Sequence, residues 1–336
     1  MADMPPDPAK IVSMASAFYE SCVLFAASDL GVFARLAETG EAEGGTLART
    51  LGVDERGLRL LLDAGVAVGL LAKDGNRYRN RPDTAAFLVP GRPGDLSGAI
   101  RYNRDVYAAW GRLSQMVKTG APVEKPEEHL GLDPQRTRTF VMAMHFRALG
   151  IGQAVLPQLD LRGRRKLLDV GGGPGTYSML IARAYPEMAC TVLDLPDVVA
   201  IASELIRQAG LDERVRALAG DYRTAAFPPD NDAVNFFGVL HQESPDSICA
   251  LLRKAAGALA PGGVVHVMDM MTDATHTQPR FSALFAVNMA LTTLNGWVFS
   301  DAELRQWMEE AGFTGFTVKP LGPVMPHWLA SARKAG

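Results

Sequence analysis

The sequence predicts an α/β chain in two parts. A mainly helical first part with a winged-helix pattern precedes a doubly wound domain built on a seven-stranded, mainly parallel sheet. Three observations predict it. From Lys166 onward, short apolar runs of strand length alternate with helical stretches, which implies parallel strands joined by helical crossovers. The first of those strands runs directly into a cluster of glycines at 171–175. Before residue 94 the pattern is instead helix, turn, helix and hairpin. With 336 residues the chain is long enough for two domains that each bury a core.

Residues 11–36 read as apolar helices in which Phe18, Val23, Leu24, Phe25 and Ala26 crowd together. Thr46 is placed to cap a short helix that Leu51-Gly52 ends. Asp54 caps the next helix, whose apolar residues are Leu58, Leu60, Leu61, Leu62, Val66 and Val68. Lys73-Asp74-Gly75-Asn76 is a turn signal between short strands at 70–72 and 78–79. Pro90-Gly91-Arg92-Pro93-Gly94 closes this unit. Residues 95–159 return to helical spacing, with Tyr102, Val106, Trp110, Leu113 and Val117, then Phe140, Met144 and Ala148. The expected division is a winged-helix domain at 1–94, a helical linker at 95–150 that contributes to a substrate pocket, and the sheet domain at 151–336.

Strands are expected at 166–170, 190–194, 215–219, 232–240 and 264–268. Helices at 177–184, 198–208 and 248–259 separate them, the last stopped by Pro261-Gly262-Gly263. Ser300-Asp301-Ala302-Glu303 is a capping box that opens a helix ending at Ala311-Gly312. Segments 313–319 and 324–331 read as a closing hairpin.

Composition excludes several functions. Lys and Arg number 34 against 37 Asp and Glu, a net charge of −3, so no global positive field exists to hold a nucleic acid or an anionic membrane. Cys22, Cys190 and Cys249 contain no C-x-x-C pair, which argues against a disulfide framework or structural zinc. No His/Asp/Glu/Cys cluster has ligand spacing, so no metal is expected. The opening MADMPPDPAK lacks the pattern of a signal peptide. No run reaches about 18 uninterrupted apolar residues, so no membrane span and a cytoplasmic location are expected.

The chemistry sits at Leu168-Asp169-Val170-Gly171-Gly172-Gly173-Pro174-Gly175-Thr176, between the first strand and its helix. Ligands of such sheets bind beyond the carboxyl ends of the strands. Glycines there let backbone amides approach a ligand, and the helix N-terminus favours an anionic group such as a carboxylate. A dinucleotide fingerprint requires glycine or alanine where Thr176 stands, so a nicotinamide cofactor fits poorly; the G-x-G-x-G pattern at Gly171, Gly173 and Gly175 instead resembles the first motif of class I S-adenosylmethionine (SAM)-dependent methyltransferases. A domain that binds neither is the bland alternative. Asp194 ends the second strand, where a carboxylate accepts both ribose hydroxyls. Asp221 ends the third, placed for an adenine amino group, with the flat face of Tyr222 beside it.

Beyond this turn, LDLPDVV (193–199), GDYR (220–223), VLHQESPD (239–246), LAPGGVVHVMD (259–269) and FSDAELRQWMEEAGF (299–313) follow in order. Together with the glycine motif and the acidic Asp169 before it, they resemble the small-molecule O-methyltransferases of the caffeate and hydroxyindole type, over nearly the whole chain. The resemblance implies a Rossmann-like, SAM-dependent methyltransferase domain and a winged-helix domain that dimerises the chain. Leu195, next to Asp194, and Phe237, within the fourth strand, complete the expected cofactor contacts. In that family a histidine after the fourth strand is the general base, and the matching residue is His241. A histidine of pKa near 6.5 suits removal of a phenolic proton as attack begins. Two acids orient the family's base. One matches Asp269; the other falls near Val298, where no acid stands, and Glu243 is the nearest substitute. Trp110, Phe140, Met144, His145, Phe285, Asn288, Met289 and Trp297 fall in segments the family uses for its acceptor, and such a lining suits a flat apolar molecule. The leading expectation is O-methylation of a small aromatic or phenolic acceptor by a homodimer. Transfer to carbon or nitrogen is an alternative, and a winged-helix DNA-binding ligand sensor is an alternative of another class. Against the last, the second helix of the winged unit carries Arg56 and Arg59 but then a run of leucines fit for burial.

Overall fold

The computed structural model describes residues 7–92, 94–124, 133–322 and 325–336, with Ala99 by its backbone alone. The chain folds into two compact units that divide between Arg104 and Asp105, whereas the sequence placed its breaks at 94 and 150. Pro93 and Val324, used above to mark a turn and a strand start, lie outside the described residues.

The first unit comprises α1 (Pro8–Ser16), α2 (Phe18–Asp29), α3 (Val32–Thr39), β1 (Ala42–Glu43), α4 (Gly44–Leu51), α5 (Glu55–Ala67), β2 (Leu71–Asp74), β3 (Arg77–Asn80), α6 (Pro82–Phe87) and most of α7 (Ser97–Asp105). Asp54 caps α5 as expected, its carboxylate accepting from the Gly57 amide at 2.6 Å. Thr46 does not cap α4: Glu43 holds that position without a side-chain bond, and the helix begins two residues before the threonine. β2 and β3 pair across Gly75-Asn76, with Gly75 at φ +55, the sign such a two-residue hairpin loop demands. The two-residue β1 adds a third strand to this wing. Val32, Phe33, Leu36, Leu47, Leu58, Leu62, Leu71 and Tyr78 form the buried core, and the Tyr78 hydroxyl donates to Asp63 of α5 at 2.8 Å. Leu60, expected to be buried, faces out.

The second unit contains α8 (Tyr107–Trp110), α9 (Leu113–Thr119), α10 (Pro134–Val155), β4 (Lys166–Val170), α11 (Thr176–Ala184), β5 (Ala189–Asp194), α12 (Pro196–Gln208), β6 (Val215–Ala219), β7 (Asn231–Phe237), α13 (Pro245–Ala258), β8 (Leu259–Asp269), α14 (Arg280–Thr292), α15 (Asp301–Glu310), β9 (Phe313–Gly322) and β10 (Met325–Lys334). Its seven strands run in the order β6-β5-β4-β7-β8-β10-β9. The first five are parallel; β10 is antiparallel to both of its neighbours. The order reverses at β4, which lies between β5 and β7, so the ligand crevice opens at the carboxyl ends of β4 and β7. Alternate strand residues feed two cores. Leu168, Val170, Phe236, Val265 and Val267 pack with α13 and α15, while Leu167, Val192, Ala233 and Met268 pack with α10, α11 and α12.

Two boundaries shift. β7 ends at Phe237 rather than at 240, because Gly238 turns the chain at φ +71 and Leu240–Gln242 form a single tight helical turn. α13 stops at Ala258, and Pro261-Gly262-Gly263 lies inside β8. The capping box is present in both halves: Ser300 accepts from Glu303, and Glu303 accepts from Ser300. Two helical stretches, Pro8–Asp29 and Pro134–Gln158, are long and apolar enough on average to cross a membrane, although neither is uninterrupted; one-third of the second is buried within the protein.

Candidate active site at the strand ends

The glycine turn is shaped by contacts that a side chain would destroy. A Cβ on Gly172 would stand 2.7 Å from the Asp169 carboxyl carbon and 2.9 Å from Val192. At Gly173, with φ +54, nothing lies within 4 Å of the Cβ position, so the outer face of the turn is open to a ligand. Asp194 reaches back to this turn. Its Oδ2 accepts from the Gly173 amide at 2.7 Å and its Oδ1 from the Leu195 amide at 2.7 Å. A carboxylate has about four acceptor sites, so each oxygen keeps capacity for a ligand hydroxyl. Burial pushes the Asp194 carboxyl up, opposed by those two amides.

Asp169 sits beneath the turn and is fully buried. Ser178 donates to its Oδ2 at 2.7 Å, and its Oδ1 has no partner. Burial pushes its pKa up to about 7, against the lowering effect of the Ser178 bond. At the end of β6, Asp221 accepts from the Arg223 amide at 2.9 Å. The Tyr222 ring borders Gly171, and its hydroxyl donates to Glu243 at 2.8 Å. Leu195 is part-exposed beside Asp194, while Phe237 is buried edge-on against Tyr177, centroids 5.2 Å apart. Open space above Gly173, spare acceptor capacity on Asp194 and an orphaned oxygen on Asp169 fit a ligand that offers hydroxyls and an ammonium group, as SAM does.

The second cluster forms where β7 and β8 end. His241 Nδ1 lies 2.7 Å from Asp269 Oδ1, and the His241 amide donates to Oδ2 at 3.2 Å. The Met270 amide donates to the same carboxylate at 2.8 Å. A carboxylate only accepts, so Nδ1 carries the proton and Nε2 is left with its lone pair. Asp269 is buried, and the imidazole meets the Phe285 ring edge-on at 5.2 Å. Glu243 does not substitute for the missing acid near Val298, which is itself buried. Its carboxylate is taken by Tyr222, by Arg223 at 2.9 Å and by Ser247 at 2.6 Å. Trp297 holds the His241 turn: its amide donates to the His241 carbonyl and its indole N–H to the Glu243 carbonyl, each at 2.9 Å.

The predicted acceptor residues divide. Phe285 lies against His241, and Met289 packs beside Gly296 just before Trp297. Trp110 is tied to the same helix, its indole N–H donating to Asn288 at 2.9 Å. Met144 lies part-buried on α10. Phe140 and His145 turn elsewhere. Phe140 packs against Val198 and Ile201 of α12. His145 Nδ1 meets the Thr176 hydroxyl at 2.7 Å in a cleft with Leu149, Met179, Leu180 and Leu205. Arg147 and His327, which contact each other at 3.3 Å, were not singled out by sequence; the one signal was an arginine within the apolar stretch that follows Thr139 in α10. No group of three or more metal-ligating side chains occurs among the described residues.

This strand order with a glycine turn and strand-end carboxylates defines a Rossmann-like methyltransferase fold. Residues 120–314 match the O-methyltransferase domain family and residues 12–90 the O-methyltransferase dimerisation domain. The chain therefore belongs to the O-methyltransferase family, and its methyl donor is SAM. It is 31% identical over 309 residues to 3-hydroxy-5-methyl-1-naphthoate 3-O-methyltransferase of Streptomyces sahachiroi, covering 91% of this chain and 89% of that protein. It is 32% identical over 335 residues to the N,N-dimethyltransferase OxyT of Streptomyces rimosus, 96% of each chain. The crystal structure of human N-acetylserotonin methyltransferase in complex with SAM superposes with a TM-score of 0.87 at 26% identity, over the whole of both chains.

Proposed function

We propose that the acceptor of this SAM-dependent methyltransferase is a hydroxyl on a small aromatic molecule, that His241 removes its proton, and that the working form is a homodimer. The observation that carries the base is the 2.7 Å contact between His241 Nδ1 and the buried Asp269 carboxylate. Asp269 fixes the tautomer, and its negative charge stabilises the imidazolium that forms when Nε2 takes the proton. Asp194 receives the ribose hydroxyls, Asp221 and Tyr222 border the adenine, and Gly171, Gly173 and Gly175 with Leu195 and Phe237 shape the remaining contacts. Asp169 acts from below, holding the turn through Ser178 and presenting one free oxygen. SAM supplies an electrophilic methyl group on a sulfonium. The chain's own task is alignment: Phe285 and Met289, both buried, hold a flat ring against His241. The naphthoate methyltransferase relative supports an aromatic acceptor.

Replacing His241 by Ala should lower kcat by about 10²- to 10⁴-fold while leaving SAM affinity intact. Turnover at the wild-type level across pH 6 to 9 in the His241→Ala enzyme would remove the base from the mechanism. An amine acceptor is the second reading, favoured by the likeness to OxyT; the same imidazole would then take a proton from nitrogen. Carbon-13 NMR of the product made from methyl-labelled SAM separates the two, because a methyl carbon on oxygen resonates well downfield of one on nitrogen.

A further inference from the structure

A buried carboxylate joins two segments that the sheet order keeps apart. β6 and β7 are separated by β5 and β4, yet Tyr222, past the end of β6, meets Glu243, past the end of β7, at 2.8 Å. The link passes the carboxyl end of β4: Tyr222 Cε1 lies 3.5 Å from where a Cβ on Gly171 would stand. Glu243 is only 2% exposed. Its Oε1 accepts from the Tyr222 hydroxyl and from Arg223 Nε at 2.9 Å, and its Oε2 accepts from Ser247 at 2.6 Å. Burial, and then the charge of this carboxylate, push the Tyr222 hydroxyl above its ordinary pKa, so it keeps its proton and donates. Lys254 fixes the same residue from the other side, donating to the Tyr222 carbonyl at 2.6 Å. A carboxylate taken out of water is costly unless its oxygens are paired, so this one commits donors from two loops to a single place.

The same residue closes the turn that carries His241. The Glu243 amide donates to the Leu240 carbonyl at 3.0 Å, and its own carbonyl accepts the Trp297 indole N–H. Its carboxylate oxygens bond Tyr222, Arg223 and Ser247 rather than the imidazole. The start of α13 does not depend on it, because Ser244 already caps that helix. Asp269 ties the imidazole to β8, but it leaves open where the turn stands relative to the cofactor crevice. A base must be aligned with both the acceptor oxygen and the methyl group, and a displacement of about 1 Å costs about 10²-fold in rate. We infer that Glu243 is a positioning residue: it locks the turn bearing His241 onto Tyr222, so that the base and the border of the cofactor site share one rigid frame. This rests on the reading of His241 as the base and of Tyr222 as a border of the adenine. Arg223 and Ser247 hold the carboxylate in place, and the Tyr222 bond is the link across the crevice.

The test reads the imidazole directly and needs no acceptor. Full-length protein labelled with nitrogen-15 histidine is saturated with S-adenosylhomocysteine and held near pH 8.5, where the ring is neutral. The His241 signals are identified by their loss in His241→Gln, and their shifts tell a proton on Nδ1 from one on Nε2. Wild type should show the Nδ1–H form alone, as the contact with Asp269 requires. Glu243→Gln keeps the shape and loses the charge; Tyr222→Phe keeps the ring and loses the bond. Each should raise the Nε2–H form to about one-fifth of the total or more, because a loosened turn frees the ring from Asp269. The double variant should show no more than the larger single effect, since both changes act through one contact. Pure Nδ1–H in both single variants overturns the inference. So does an effect of Glu243→Gln without one of Tyr222→Phe, which confines the carboxylate to its own turn, and so do effects that add in the double variant. Tyr222→Phe deletes one hydroxyl and decides the matter by itself should Glu243→Gln not fold. Both forms in wild type would sink the base reading and this inference together; the other outcomes leave the base reading to the turnover of His241→Ala.

Discussion

Two carboxylates of the cofactor end face opposite demands, and their surroundings separate their roles. Asp194 accepts two backbone amides and borders open space, so it is placed to bind. Losing it removes the acceptor for the Gly173 amide as well as for the ligand. Asp194→Ala should weaken SAM binding by about 10- to 100-fold, the worth of one or two hydrogen bonds to a charged group; calorimetry with unchanged affinity would refute the ribose assignment. Asp169 has no solvent and one bond, and its folded pKa of about 7 stands above its ordinary value. A raised folded pKa means the folded state holds the proton more tightly. The stabilisation from this group is complete below about pH 4 and is lost as pH rises toward 7. Asp169→Asn carries no such charge and keeps an acceptor for Ser178. The melting temperature of the variant minus that of wild type, without cofactor, should increase from pH 5 to 7 and then level off. A flat difference would show that Asp169 is ionised throughout.

At the scale of elements, the strand-turn-helix from β4 through α11 works because its turn has no spare volume on the inside. The Cβ of Gly172→Ala would overlap Asp169 and Val192, so the turn must shift or the two side chains must part. Overpacking of this kind costs about 1–3 kcal/mol. The variant should show both a lower melting temperature and a weaker affinity for SAM. A variant that loses stability while binding SAM normally would mean that the turn shapes the fold but not the ligand. The tight helical turn at Leu240–Gln242 follows a different logic. Trp297, from more than fifty residues away, clamps it through two hydrogen bonds, which sets the imidazole toward Asp269.

For the molecule as a whole, the first unit leaves α1 with no buried residue, and Ile11, Val12, Met14, Phe18 and Tyr19 all exposed. An apolar stripe of this kind marks an interaction surface. It overlaps the residues that match the dimerisation domain, which favours a second copy as its cover. Sedimentation of the intact protein should give about twice the chain mass of 36.1 kDa. Val12→Asp combined with Phe18→Asp should shift it to a single chain. A wild-type protein that sediments as one chain at micromolar concentration would exclude the homodimer.

The amino-acid order was enough to locate the parallel sheet, the glycine turn, the strand-end position of Asp194 and the capping box at Ser300, while the family resemblance supplied the expectation that His241 meets Asp269. Those features depend on local periodicity, on backbone demands that only glycine meets, or on motifs whose residues sit at strand ends. It was not enough to say that Glu243 serves Tyr222 and Arg223 rather than His241, that Phe140 and His145 turn toward α12 and α11, or that Arg147 meets His327. In each of these cases one partner lies far along the chain. Which face of a helix meets which strand is set by the packing of both cores at once, and no spacing within a single segment encodes it.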